Sequence, residues 1–224
     1  IITHIKSSCP PIYINRNMTV IENLLSKRKQ VRWYEEEKYP SKDTVNELLK
    51  KTYELVASKQ DLIPYSVKVL GPDKKVEKEE FYNHSKGTAE GENKGNWNIF
   101  APYVICFQYR LVDKPNEHVK RKIGKGAKFP ACLPESYRQN KNTLIEVGMF
   151  ASILTALCLE NNIDVSYLLC FDGHRDKLSF TDDNMILSMQ LGYKKQVSPE
   201  EMPKTFNKPD DEYKPEVNDI ISWI

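Results

Sequence analysis

Between residues 142 and 159 the chain reads NTLIEVGMFASILTALCL. Its apolar members Leu144, Ile145, Val147, Met149, Phe150, Ile153, Leu154, Leu157 and Leu159 fall on nearly every face of a helix. A helix apolar all round must be enclosed on all sides, by its own core or by a second subunit, so it fixes the centre of the fold before anything else is placed. Its uncharged part, 147–159, is shorter than the roughly 20 residues a membrane span requires, which makes it a buried core helix. With 224 residues and 40% hydrophobic content the chain can bury a sizeable core in one large domain, yet one domain of this size would struggle to cover such a helix completely, so a homodimer is expected. No repeat or linker divides it, so a single domain over 1–224 is expected.

The elements that enclose this helix are legible from their periods. Val20, Ile21, Leu24 and Leu25 recur at helical spacing over 18–27, just before a basic cluster of Lys27, Arg28, Lys29 and Arg32. Ser41 can cap a second helix whose apolar positions are Val45, Leu48, Leu49, Leu55 and Val56, ending near Ser58. Pro64 precedes the alternating run 65–70, a strand with one wet face, closed by Gly71-Pro72. A short helix is expected at 76–83 and a loop at 87–95. The run 102–109 is apolar but for Gln108 and short, as in a central strand. Residues 113–141 are rich in Lys, Arg, Pro and Gly and read as a variable insertion outside the core. Strands follow at 163–171 and from Met185 toward Gly192. An irregular tail over 197–214 then leads to a short terminal helix started by Pro215. Alternating helices and strands of this kind predict an α/β (α+β) fold.

Lys+Arg 33 against Asp+Glu 31 gives no global charge that would favour a nucleic acid or a membrane surface. The basic stretch 120–128 lacks an accompanying aromatic stacking set and reads as a solvated loop. Five cysteines form an odd set without a CxxC pair, unlike a disulfide framework or a zinc site. His4, His84, His118 and His174 are scattered, and Asp172-Gly-His174-Arg-Asp176 reads as a polar turn, so no metal is expected. The N-terminal stretch carries polar residues from Thr3 onward and lacks the apolar core of a secretion signal, so the cytoplasm is the expected compartment. Walker, HExxH, GxSxG and GxGxxG sequences are absent.

Four ordered fragments carry a functional signal. Ser26-Lys-Arg-Lys-Gln-Val-Arg-Trp-Tyr34 follows the first helix, and Ala57-Ser-Lys-Gln-Asp-Leu-Ile-Pro-Tyr65 precedes the first strand. The apolar helix leads directly into Asn161-Asn-Ile-Asp-Val-Ser-Tyr-Leu-Leu-Cys-Phe171. Leu191-Gly192-Tyr193 and Tyr213-Lys214-Pro215 then come near the end. In order and approximate spacing this set resembles the nitroreductase family of flavoproteins: its Arg-Arg-Ser-x-Arg-x-Phe motif, its Pro-Ser-x-x-Asn-x-Gln-Pro-Trp loop, its interface helix with the strand that follows, and its basic-Pro C-terminal segment.

The resemblance implies a nitroreductase-like fold, a mixed central β-sheet flanked by helices, whose long apolar helix lies at a homodimer interface. It also implies FMN bound between subunits. Arg28, Lys29, Gln30 and Arg32 would hold the cofactor from the first motif, and Ser58, Lys59, Asp61 and Pro64 would reach it from the other subunit. The backbone at Leu168, Leu169 and Cys170 would approach the flavin, and Lys214 its phosphate. The implied activity is hydride transfer from NAD(P)H through the flavin to a small organic acceptor, a nitroaromatic, quinone or enone, with no obligatory side-chain acid or base. The departures at Gln30, Asp61, where the family has Asn, and Ile63, where it has Gln, keep open a second reading: an interaction protein of the same fold without turnover.

Overall fold

The computed structural model describes residues 19–85, 95–112, 117, 120, 121, 141–171, 178–197 and 217–221. Five helices are described, α1 (Val20–Ser26), α2 (Lys42–Leu55), α3 (Lys75–His84), α4 (Lys141–Glu160) and α5 (Val217–Ile220), with four strands, β1 (Tyr65–Leu70), β2 (Tyr103–Tyr109), β3 (Asp164–Leu168) and β4 (Met185–Gly192). Among the described residues the strands form one sheet in the order β1-β2-β4-β3, antiparallel at every pairing, where a mixed sheet was expected.

The apolar run at 103–109 becomes the central strand β2, whose seven residues are all buried. Successive side chains of a strand point to opposite faces, and β2 divides accordingly. Tyr103, Ile105 and Phe107 join Val45 and Leu48 of α2 and Phe150 and Leu154 of α4 in one apolar cluster. Val104 and Cys106 join Phe81 of α3, Ile99 and Leu168 in a second. The sheet is therefore covered on both sides, by α2 and α4 on one face and α3 on the other. For that reason β1 shows no clean wet face: Val67 packs on the first cluster and Leu70 on the second.

Local chemistry sets the helix ends. Thr19 and Glu22 form a reciprocal capping box on α1, and Ser41 accepts the Thr44 N–H to start α2. β-Branched Val56 takes extended backbone and stops α2 at Leu55, three residues short of the expected Ser58. The 20 residues of α4 are long and apolar enough to cross a membrane by composition. Its packing against α2, β3 and β4 makes it the central helix of the domain. Within one chain it is not enclosed on every side. Leu144, Ile145 and Met149 are exposed, while Glu146 is 4% exposed and buried among apolar neighbours.

Gly192 closes β4 where Tyr34 and Pro102 press on it. A Cβ there would come within 2.8 Å of both. This close approach lets residues 33–35 run beside 193–195, with Glu35 N–H donating to the Tyr193 carbonyl at 2.8 Å and Lys195 N–H to the Trp33 carbonyl at 3.0 Å. Tyr34 reaches under the sheet, its hydroxyl 2.9 Å from Ser166 Oγ and 3.0 Å from the Gln190 carbonyl. Burial pushes that phenol far above its ordinary range.

Candidate functional site

The basic segment after α1 is laid onto β3. Val31 and Tyr34 are buried with Ala101 and anchor the segment from below, which leaves Arg28 and Arg32 half-buried and Lys29 and Gln30 exposed. The Arg28 guanidinium sits 5.9 Å from the centre of the Tyr167 ring, within the range of a cation–π contact. Gln30 spends its side-chain amide on the backbone of the same residue: Nε2 donates to the Tyr167 carbonyl at 2.9 Å, and Oε1 accepts the Tyr167 N–H at 3.4 Å. In this arrangement Gln30 extends the edge of the sheet, and its amide is committed to protein. Tyr167 is held in turn from α4, its hydroxyl bonded to that of Thr155. Beyond it Leu168 is buried, whereas Leu169 and Cys170 stand exposed past the end of β3.

The second fragment forms a tight turn into β1. Residues Lys59–Asp61 make one turn of 3-10 helix, and Asp61 (φ 53°) and Ile63 (φ 45°) adopt left-handed backbone. For β-branched Ile63 that region is sterically costly, so the turn has to be held from outside. Ser58 Oγ accepts the Ile63 N–H at 2.9 Å. Arg110, just past β2, donates Nε to the Ile63 carbonyl at 2.9 Å and Nη2 to the Leu62 carbonyl. Glu146 of α4 accepts the Lys59 N–H at 2.9 Å. Pro64 is buried and its carbonyl accepts the Arg110 N–H at 3.1 Å.

Beside this turn lies a cavity of about 320 Å³ between Ser58, Lys59, Asn142, Glu146 and Met149. The second carboxylate oxygen of Glu146, which lines the cavity, is buried without a hydrogen-bond partner among the described residues, as are the Tyr65 and Thr143 hydroxyls, which do not line it. Burial, reinforced by the charge of Glu146, raises the Tyr65 phenol above its ordinary range.

Register places both fragments at the same end of the sheet, where β1 begins at Tyr65, β2 ends at Tyr109, β4 begins at Met185 and β3 ends at Leu168. They occupy opposite edges of it. Three strand spacings of about 4.8 Å separate β1 from β3, roughly 14 Å. Within one chain the structure thus brings Arg28 and Gln30 to Tyr167, next in sequence to Leu168, Leu169 and Cys170, and holds Ser58, Lys59, Asp61 and Pro64 at the other edge of the sheet; Arg32 lies on the stretch that runs on toward Tyr34 and its bridge to Lys194. Lys214, the Asp172–Asp176 turn and most of the 113–141 insertion lie outside the described residues. Among the described residues no group of three metal-ligating side chains occurs.

Sequence reasoning missed Tyr167, Glu146 and Arg110. Glu146 had a signal, being the one charge between 142 and 159 in a helix otherwise apolar. Tyr167 and Arg110 had none, because their partners lie 137 and 47 residues away.

Solved structures share this arrangement. A provisionally assigned nitroreductase from Exiguobacterium sibiricum, in complex with FMN, superposes with a TM-score of 0.64 over 92% of this chain and 98% of its own, at 15% identity. A nitroreductase from Desulfitobacterium hafniense with bound FMN gives 0.55 over 92% and 99%, at 14% identity. A Staphylococcus epidermidis protein provisionally assigned as an NAD(P)H:FMN oxidoreductase gives 0.62 over 92% and 97%, at 15% identity. This is the nitroreductase fold. No family model matches the chain, and no curated protein sequence does.

Proposed function

We propose that the chain is one subunit of an FMN-dependent oxidoreductase. The observation that carries this reading is the docking of the basic 28–32 segment onto the exposed end of β3, in a fold shared with proteins solved with FMN. The residues present fit the cofactor's needs. A phosphate asks for charge-assisted donors, and Arg28 and Arg32 are half-buried cations on the segment docked against β3, Arg28 over the Tyr167 ring. A reduced flavin also carries negative charge on its pyrimidine edge, which a cation at Arg32 would favour.

In this reading bound FMN supplies the hydride chemistry, accepting from NAD(P)H and passing electrons to a small organic acceptor. The chain's own residues orient and insulate. Arg28 would hold the phosphate or ribityl chain, Arg32 the pyrimidine edge, and the backbone at Leu168, Leu169 and Cys170 would approach the ring. Gln30, bonded to Tyr167, positions that backbone. Lys214 is the candidate phosphate cation from the C-terminal segment.

Ser58, Lys59, Asp61 and Pro64 then serve the flavin of a second subunit, since one chain sets them at the β1 edge of the sheet, three strand spacings (roughly 14 Å) from the β3 edge that carries the basic segment. The exposed apolar face of α4 at Leu144, Ile145 and Met149 supports the homodimer this requires.

Flavin affinity tests the assignment. Removing one charged donor from a partly buried phosphate site loses on the order of 1.5 to 3 kcal/mol, roughly tenfold to a hundredfold in affinity. Arg28→Ala and Arg32→Ala should each weaken FMN binding by that factor in calorimetry. Wild-type affinity in both variants would remove the 28–32 segment from the site.

A further inference from the structure

At the opposite end of the sheet, where β1 ends at Leu70, β2 begins at Tyr103 and β4 ends at Gly192, a second cleft opens between α3, the 33–37 segment and the turn before β2. Its volume of about 570 Å³ is that of a small-molecule site.

One wall is aromatic. Trp33 and Trp97 meet at 5.5 Å between ring centroids, and Trp97 meets Phe100 at 5.8 Å; Tyr82 backs both Trp97 and Phe100, at 5.5 and 5.1 Å. Trp97 is nonetheless 45% exposed and Phe100 39%. Single exposed apolar side chains are ordinary, but contiguous large rings left in water on one wall mark a binding surface.

The inner surface carries a buried cation. Lys78 is 4% exposed, and its ammonium donates to the Ala101 and Pro102 carbonyls at 2.7 and 2.9 Å. An ammonium has three N–H donors, so two are accounted for. No carboxylate lies within salt-bridge distance of it among the described residues. The other charges of the cleft, Glu36, Glu37, Lys75, Glu79 and Lys195, are exposed and sum to −1. Their fields are screened by solvent, while a buried charge acts in a low dielectric. The buried charge of the cleft is therefore the Lys78 ammonium, with Asp73 near enough to act on it. Tyr34, also in the lining, has its hydroxyl committed beneath the sheet.

We propose that this cleft is a second ligand site, separate from the 28–32 segment and β3 end, and that it takes a planar aromatic anion such as an aryl carboxylate. The ring lies on the exposed faces of Trp97 and Phe100, and the carboxylate accepts the remaining Lys78 N–H.

The probes are 2-naphthoate, neutral 2-naphthalenemethanol and (2-naphthylmethyl)trimethylammonium, titrated calorimetrically into the full-length protein with and without added FMN. The naphthoate should bind roughly tenfold or more tighter than the alcohol, as expected for one charge-assisted hydrogen bond, and the cation weakest. Affinities should be the same with and without FMN, which keeps this outcome independent of whether the chain binds flavin. Trp97→Ala, at an exposed position, should weaken naphthoate and alcohol alike by about threefold to tenfold. Lys78→Met should erase the preference for the anion.

If that variant does not fold, the wild-type pH profile replaces it. Burial lowers Lys78 to about 8, with Asp73 pulling weakly the other way. Naphthoate affinity should then fall as pH rises through about 8, while affinity for the alcohol stays level. Absence of saturable naphthoate binding, a preference for the cation, competition with FMN, or insensitivity to Trp97→Ala would each overturn the proposal.

Discussion

Replacing Glu146 separates local order from global stability. Its carboxylate is buried within α4, and one oxygen accepts the Lys59 N–H at 2.9 Å while the other has no partner among the described residues. Truncation by Glu146→Ala has two opposing effects. It removes a charge-assisted hydrogen bond worth about 1.5 to 3 kcal/mol, the lower end applying because Lys59 is exposed and its N–H can turn to water. It also removes a buried, half-satisfied polar group, whose retention costs energy of comparable size. Global stability in urea should therefore change by less than about 1 kcal/mol. The turn loses its tether without compensation, and 1.4 kcal/mol is a factor of ten in an equilibrium. Amide exchange at Lys59 should accelerate roughly tenfold in native-state exchange followed by NMR, with smaller increases to Ile63. Glu146→Gln retains an acceptor and should restore most of the protection. Unchanged exchange in Glu146→Ala would refute the tether. A global loss above about 3 kcal/mol would show that Glu146 supports the core and not the turn.

Two further outcomes follow from burial and charge. Asp61, exposed and left-handed at φ 53°, can be replaced by Asn without backbone strain. If its carboxylate faces the flavin of the second subunit, Asp61→Asn raises the two-electron potential by on the order of 10 to 30 mV, where 30 mV corresponds to about 1.4 kcal/mol. An unchanged potential by dye equilibration removes Asp61 from the site. Burial pushes the Cys106 and Cys158 thiols up to about 12, whereas Cys170 is exposed. In a chain with Cys9 and Cys132 replaced by Ser, Ellman's reagent at pH 8 should find one fast thiol in the native protein and three after unfolding, and equal rates for all three would contradict the packing described.

Much of the fold was legible because it rests on periodicity. The even apolarity of 103–109 marked the central strand, and the all-round apolarity of 142–159 marked the central helix. Both sit where a two-faced sheet and its cover require them. What the pattern could not show is pairing. The strand order β1-β2-β4-β3 depends on which strands meet, and its central pairing, β2 with β4, joins residues as far apart as Tyr103 and Leu191; the alternation within β1 pointed to a wet face that the cover on both sides of the sheet removes. For the site, the basic cluster after α1 was visible as charge. Its docking onto Tyr167 was not, since a lone tyrosine inside a strand carries no sequence mark. The committed amide of Gln30 is of the same kind: its role is set by a backbone that reaches it from across the fold. The cleft of Trp33, Trp97 and Lys78 gathers residues from three segments, and none of them stands out in its own neighbourhood.

The most direct test of the account measures cofactor content and assembly together, by titrating purified protein with FMN in sedimentation velocity with detection at 280 and 450 nm. The account predicts a dimer at micromolar concentration that carries flavin absorbance at one FMN per chain. A folded monomer, or a dimer from which FMN sediments separately at saturating concentrations, would contradict the shared flavin site and leave the fold without the proposed turnover.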